Sequence, residues 1–114
     1  MKIIILGLDG ATWAVLKPLS DTGFLPNIKR LIEHGCMGVL KSTIPPMTSP
    51  AWPCLATGVN PGKIGAFSTL MRIREEDFRL IPVNSSVYRG NSFWDMLSRK
   101  GYRVALVKIP FLYP

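Results

Sequence analysis

The chain has 114 residues, of which 47% are hydrophobic and 18% are charged, and its formal net charge is +7. This length suffices for one small domain with a hydrophobic core and does not suffice for two. Ten glycines, ten prolines and three tryptophans exclude an acidic or low-complexity disordered chain, and a single histidine with seven carboxylates cannot complete a site that needs many such ligands.

The first half of the chain predicts two strands and one helix. Residues 2–8 (KIIILGL) are β-branched and apolar almost throughout, which predicts a strand buried on both faces. Pro26 at a first helical position and the stop signal Gly35 predict a helix over residues 26–34. Residues 37–43 predict a second, shorter strand that a pair of prolines ends.

A short helix is predicted next, over residues 50–57. Ser49 is its expected N-cap, Pro50 its first residue and Gly58 its stop signal. Residues 59–65 contain two glycines and one proline, and they predict a loop.

The remaining residues predict a hairpin, a helix and a strand. Residues 67–74 and 78–83 are rich in β-forming residues and flank the polar Glu75-Glu76-Asp77, which predicts a β-hairpin. Residues 92–100 begin with a serine N-cap and predict a helix. Residues 102–109 predict another buried strand.

Helices that alternate with hydrophobic strands indicate an α/β fold with a mainly parallel sheet and flanking helices. No repeat or linker divides the chain, so residues 1–114 are interpreted without a second domain. A parallel strand with two apolar faces needs covering layers, and few residues follow the last predicted strand. We therefore expect a partial sheet, the opening section of a larger domain, which either a missing C-terminal portion or a homo-oligomer covers.

The cysteines and the N-terminus bear on the cellular compartment. Cys36 and Cys54 form no Cys-x-x-Cys motif and no Cys/His cluster, so we expect two reduced and largely buried thiols. The apolar run at residues 3–6 is too short for a signal peptide, and Asp9 soon follows it. No stretch approaches the roughly 20 apolar residues of a membrane span. The expectation is a cytoplasmic protein without a membrane partner.

Asp9 is the first candidate functional residue. It follows the first predicted strand, and ligands of open α/β sheets bind at the carboxyl ends of strands, so its carboxylate is a candidate metal ligand. An Asp-Gly pair after a strand is also an ordinary turn. The run Gly7-Leu8-Asp9-Gly10 lacks the spacing of the dinucleotide fingerprint, and a Walker phosphate loop is absent as well.

The second candidate is the hydroxyl pair Thr48-Ser49. Both residues come directly before the predicted helix, where unpaired backbone N–H groups and the positive end of the helix dipole favour an anion. Ser49 before a proline is also an ordinary N-cap. Thr48 lies one residue outside that cap, and its hydroxyl can point at a ligand and attack a phosphoryl group.

These candidates belong to a series of short motifs along the chain: Leu8-Asp9-Gly10, Leu25-Pro26-Asn27-Ile28, Thr48-Ser49-Pro50-Ala51-Trp52, Ala56-Thr57-Gly58, Asn60-Pro61-Gly62-Lys63 and Ser92-Phe93-Trp94-Asp95. In this order the motifs resemble the start of the alkaline phosphatase superfamily. The resemblance is closest to its type I phosphodiesterase/nucleotide pyrophosphatase branch, and it extends over essentially the whole chain.

The resemblance implies a metal-dependent hydrolase or transferase of phosphate esters, usually with a pair of zinc ions and in some relatives with manganese. Asp9 corresponds to the first metal-ligating aspartate. Thr48 corresponds to the threonine nucleophile, which also contacts a metal, so the two side-chain oxygens are expected roughly 3–5 Å apart. The family's other ligands lie downstream of residue 114, so neither a complete two-metal site nor activity is expected of this chain alone.

Ser49 and Lys63 are the candidate substrate-binding residues of this interpretation. The backbone N–H groups of Ser49 and Ala51 are expected to face the phosphate, and Lys63 lies in a loop that can approach it. Nucleotide pyrophosphatases have asparagine where this chain has Ala51 and histidine where it has Ile64. Both departures point away from a nucleotide substrate.

Two alternatives to an enzyme remain open. The net charge of +7 is compatible with a small basic module that binds nucleic acid. Its basic residues are scattered, however, with Arg72, Arg74 and Arg79 near the hairpin and others near the last helix, and no RNA- or DNA-binding motif accompanies them. The other alternative is a non-catalytic α/β unit that associates with itself.

Overall fold

A computed structural model describes residues 2–68, 71–73 and 76–113 of the chain. The chain divides into two compact units, Met1–Lys41 and Ser42–Pro114. Each unit has its own helices, and each is described by itself below.

The first unit contains two helices, α1 (Trp13–Asp21) and α2 (Pro26–His34). The prediction of α2 is confirmed, because the helix begins at Pro26 and its C-cap is Gly35. Helix α1 was not predicted from the sequence, since Pro18 lies inside it and interrupts the helical pattern. Helices α1 and α2 pack against each other and border an open apolar groove of about 300 Å³.

The second unit contains α3 (Thr48–Thr57), the short α4 (Pro61–Ile64) and α5 (Phe93–Arg99). Helix α3 begins two residues before the predicted start, at Thr48, and its N-cap is Met47. The prediction of Ser49 as N-cap is therefore wrong. Gly58 ends α3 as predicted, with a left-handed φ of 70° that a glycine adopts without strain.

Helix α4 occupies part of the segment 59–65, for which the sequence predicts only a loop. Asn60 caps it, because the Asn60 side chain accepts a hydrogen bond from the Lys63 N–H, and Pro61 is its first residue. An asparagine followed by a proline is an ordinary helix start, so this signal was present in the sequence.

Two short strands, β1 (Met71–Ile73) and β2 (Leu80–Pro82), pair antiparallel with Arg72 opposite Ile81. They lie within the two segments that predict a hairpin. Four residues of that predicted hairpin lie outside the described residues, namely Thr69, Leu70, Arg74 and Glu75.

The sequence predicts three further strands, at residues 2–8, 37–43 and 102–109. In the part of the chain that the structure describes, none of these segments forms a strand. Most of their apolar side chains are exposed, for example Ile4 at 93% and Leu40 at 87%, whereas the pattern predicts burial. Ile109 is an exception, since it packs against the core of the second unit. A strand is completed by hydrogen bonds to a neighbouring strand, and the structure provides these segments with none. The mainly parallel sheet therefore stays a prediction from the pattern of the sequence.

The core of the second unit forms around Ala56, Tyr88 and Trp94. The rings of Tyr88 and Trp94 lie 5.3 Å apart between centroids, and the Tyr88 hydroxyl donates to the Pro110 carbonyl oxygen at 2.7 Å. Trp94 enters this core from α5, which begins as predicted after the N-cap Ser92. Among the described residues, no helix has the length and apolar character needed to cross a bilayer.

Candidate functional site

Thr48 is the first residue of α3, and its side chain is half-buried. The first turn of a helix presents N–H groups that have no partner inside the helix, and the positive end of the helix dipole reinforces them. The Thr48 hydroxyl therefore lies in the first turn of α3, directly after the N-cap Met47, and the prediction that Thr48 lies one residue outside the cap is wrong.

Ser49 follows it as the second helical residue and is completely buried, with 0% of its surface exposed. Its hydroxyl donates a hydrogen bond to the backbone carbonyl of Ser68. Because this hydroxyl is turned into the protein, it does not cap the helix. No local signal identifies Ser68 as its partner, since the two residues are 19 positions apart.

The backbone donors of this helix turn are fewer than predicted. Pro50 has no N–H group, and the N–H of Ala51 donates to the Met47 carbonyl at 3.0 Å. The expectation that Ala51 contributes an N–H to an anion site is therefore wrong. Thr48 and Ser49 are the two residues of this turn whose N–H groups precede the first hydrogen bond of the helix, which Ala51 makes to Met47.

Lys63 ends the motif Asn60-Pro61-Gly62-Lys63 and lies in the last turn of α4. Its side chain is exposed, and its backbone N–H is bonded to the side chain of Asn60 at 3.1 Å. Helices α3 and α4 pack against each other, so Lys63 belongs to the same unit as Thr48.

Asp9 belongs to the first unit, where it lies in a turn with Gly10. The Ala11 N–H donates to the Leu8 carbonyl at 3.4 Å across this turn, and Gly10 has the left-handed φ of 69°. The Asp9 carboxylate is exposed. Asp9 lies in an ordinary turn and also presents an exposed carboxylate. The Asp-Gly pair is therefore compatible both with a structural turn and with a metal ligand.

Asp9 and Thr48 offer the kinds of atom that bind metal ions. Their carboxylate and hydroxyl oxygens are hard donors suited to divalent cations. The part of the chain that the structure describes contains no group of three or more His, Cys, Asp or Glu residues that could hold a metal ion. A zinc centre in proteins has four ligands, so neither the Asp9 carboxylate nor the Thr48 hydroxyl completes one in its own unit.

Burial shifts the pKa of two side chains in the second unit, Cys54 and Tyr88. Burial raises the pKa of the Cys54 thiol above its ordinary value, so this half-buried cysteine stays a neutral thiol. Burial also raises the pKa of Tyr88 to about 12. The other cysteine, Cys36, is a free thiol in the first unit and is exposed, so the prediction that it is buried is wrong.

With this geometry in place, the chain was compared with known proteins. The family model of type I phosphodiesterase / nucleotide pyrophosphatase matches residues 3–114, which includes Asp9, Thr48 and Lys63. The chain belongs to this family, and the resemblance stated from its motifs is confirmed. Neither the curated proteins nor the solved structures that were compared gave a significant match.

Proposed function

We propose that this chain supplies the nucleophile and one metal ligand of a metal-dependent phosphoester hydrolase. The observation that carries the proposal is the family match over residues 3–114, within which Thr48 is the first residue of α3. Thr48 is the proposed nucleophile and a metal ligand, and Asp9 is the second metal ligand.

The position of Thr48 suits an attack on a phosphate ester. The N–H groups of Thr48 and Ser49 and the helix dipole stabilise the negative oxygens of the phosphoryl group. Threonine is β-branched and therefore has few side-chain rotamers, which restricts the direction of its hydroxyl. Exposed Lys63 is a further candidate contact for the phosphate.

The proposed reaction has two steps. The Thr48 Oγ attacks phosphorus, a bond between Oγ and phosphorus forms, the bond to the leaving oxygen breaks, and the leaving alcohol takes up the proton that Thr48 loses. Water then attacks the phosphothreonine, the bond between Oγ and phosphorus breaks, and Thr48 regains its proton. A divalent cation, zinc or manganese, would lower the pKa of the attacking hydroxyl and neutralise phosphate charge.

The number of metal ligands in the chain decides which form of the protein is expected to be active. Asp9 and Thr48 account for only part of a coordination sphere, and the described residues add no cluster of three ligands. We therefore propose that the remaining ligands come from a longer form of the protein. On its own, the 114-residue chain should hydrolyse no ester at a detectable rate, even with added zinc.

The test measures hydrolysis of bis(p-nitrophenyl) phosphate with zinc or manganese. In a longer form, Thr48→Ala is expected to abolish turnover, whereas Thr48→Ser retains a hydroxyl and some activity. Thr57→Ala is the matched control, because Thr57 is the last residue of the same helix and its hydroxyl donates to the Pro53 carbonyl at 2.6 Å. Activity that survives Thr48→Ala contradicts the nucleophile, and turnover by the 114-residue chain contradicts the incomplete site.

A second candidate function is self-association. Exposed apolar side chains favour it, because Ile4, Val39 and Leu40 are 93%, 85% and 87% exposed and such patches mark interaction sites. The partner proposed is a second copy of the chain, and sedimentation velocity over a concentration series tests it. A monomer at the highest concentration contradicts this candidate. Nucleic acid is not proposed as a partner.

A further inference from the structure

We propose that Ser49 is a positioning residue whose buried hydroxyl fixes the first turn of α3 and thereby the direction of the Thr48 side chain. The inference rests on the proposed function, in which Thr48 is the nucleophile. The structural feature that carries it is the hydrogen bond from the Ser49 hydroxyl to the Ser68 carbonyl.

This hydrogen bond is unusual for a serine in the first turn of a helix. Such a serine ordinarily bonds to backbone groups of its own or the preceding turn. The Ser49 hydroxyl instead reaches a carbonyl 19 residues further along the chain and is fully buried where it does so. It joins the start of α3 to the segment that follows α4.

The bond adds a polar contact at the N-terminal end of α3, where the side chain of Pro50 is also buried. Ser49, Pro53 and Ala56 lie at i, i+4 and i+7 on one buried face of the helix. Ala56 fixes the far end of this face, since it belongs to the core cluster with Tyr88 and Trp94. At the near end, the Ser49 hydroxyl is the polar anchor.

Thr48 is the residue directly before this face, about 100° around the helix axis from Ser49. A rotation or fraying of the first turn therefore displaces the Thr48 hydroxyl as well. Because the Ser49 hydroxyl is buried and engaged with Ser68, it acts on the reaction through Thr48 and does not touch the substrate. The Ser49 N–H is a separate group and keeps its proposed role toward the phosphate.

The test compares Ser49→Ala with the unchanged chain by NMR. The first readout is amide hydrogen exchange at both ends of α3, at Ala51, which donates to Met47 at 3.0 Å, and at Gly58, which donates to Cys54 at 2.8 Å. Loss of the anchor should accelerate exchange at Ala51 about tenfold while Gly58 changes less than about twofold. The second readout is the three-bond coupling between the backbone nitrogen and Cγ2 of Thr48, which should move toward a rotamer average.

Two further variants keep the test decisive. Ser92→Ala removes another fully buried serine, the N-cap of α5, and should leave the Thr48 coupling unchanged. Ser49→Cys keeps the side-chain volume and has a weaker donor, so its Ala51 exchange rate and Thr48 coupling should lie between those of Ser49→Ala and of the unchanged chain. If Ser49→Ala does not fold, Ser49→Cys replaces it in the test. An unchanged Thr48 coupling, or equal acceleration at Ala51 and Gly58, overturns the proposal.

Neither readout depends on turnover, so the two proposals fail in different ways. If activity survives Thr48→Ala, the proposed function fails, whatever the exchange rates show. If activity requires Thr48 but its coupling is the same with and without the Ser49 hydroxyl, only the positioning role fails.

Discussion

The buried hydroxyl of Tyr88 gives a prediction with a definite sign in pH. The Tyr88 side chain is 2% exposed, its ring packs against Trp94, and its hydroxyl donates to the Pro110 carbonyl. Tyr88→Phe keeps the ring and removes the hydroxyl. At pH 8 the variant should lose about 1 kcal/mol of unfolding free energy, because the hydrogen bond to the half-buried Pro110 carbonyl is lost.

The loss of unfolding free energy at alkaline pH follows from the pKa of the Tyr88 phenol. Burial raises it from its ordinary value of 10.0 to about 12, so between these values the unfolded chain ionises while the folded chain keeps its proton. The folded state binds more protons than the unfolded state in this window, and stability falls as pH rises. At about 1.4 kcal/mol per pKa unit, the loss from this group is about 1.4 kcal/mol at pH 11.

Tyr88→Phe lacks this loss, so the unfolding free energies of the variant and of the unchanged chain should cross between pH 10 and 11. The assay is urea unfolding followed by tryptophan fluorescence at pH 8, 9, 10 and 11. Tyr102→Phe is the control, because its hydroxyl belongs to a side chain that is 63% exposed, and it should keep the pH dependence of the unchanged chain. If Tyr88→Phe keeps that dependence too, burial of the Tyr88 phenol does not cause it.

Two further predictions concern helix ends in the same unit. Ser92→Ala removes the capping box with Asp95 and should lower the unfolding free energy by about 1 kcal/mol in urea titrations; no loss means that the box contributes nothing. Gly58→Ala should lower it by about 1 kcal/mol through backbone strain alone, since φ is +70° and no atom lies within 4 Å of the added methyl. Gly38 has equally open space and no positive φ, so Gly38→Ala should lower the unfolding free energy less than Gly58→Ala does. An equal loss would show that the positive φ of Gly58 is not the cause.

The helices that the sequence predicted correctly are those with local signals. Pro26 with Gly35, and Ser92 with its following helix, lie within a few residues of the structure that they determine. The sequence predicts the start of α3 two residues too late, because proline is most common at the first helical position. Pro50 is the third, a position equally open to proline, since the N–H groups of the whole first turn lack helical partners.

What the sequence did not predict depends on contacts far along the chain. The partner of Ser49 is the Ser68 backbone carbonyl, which every residue type provides, so no side-chain pattern could identify it. The apolar run at residues 2–8 predicts a strand, but a strand forms only against a neighbour, which local composition does not specify. The motifs of Asp9 and Thr48 were informative because they identify the family, and residues 3–114 match its model.

The proposal that Asp9 and Thr48 bind one metal ion makes a prediction that needs no turnover. Substoichiometric Mn²⁺ broadens the NMR signals of nuclei close to it even when binding is weak, as expected with two protein ligands. The amide signals of Gly10 and Ser49, which follow the two proposed ligands in the chain, should broaden together.

Asp9→Asn then gives the decisive comparison, because removal of one ligand from a shared ion weakens binding at both places. The broadening at Ser49 should disappear together with that at Gly10. Asp21→Asn is the matched control, since its carboxylate lies in the same unit and pairs with Lys17 at 2.8 Å. If Asp9→Asn removes the broadening at Gly10 and leaves it at Ser49, the two residues bind separate ions and the shared centre is wrong.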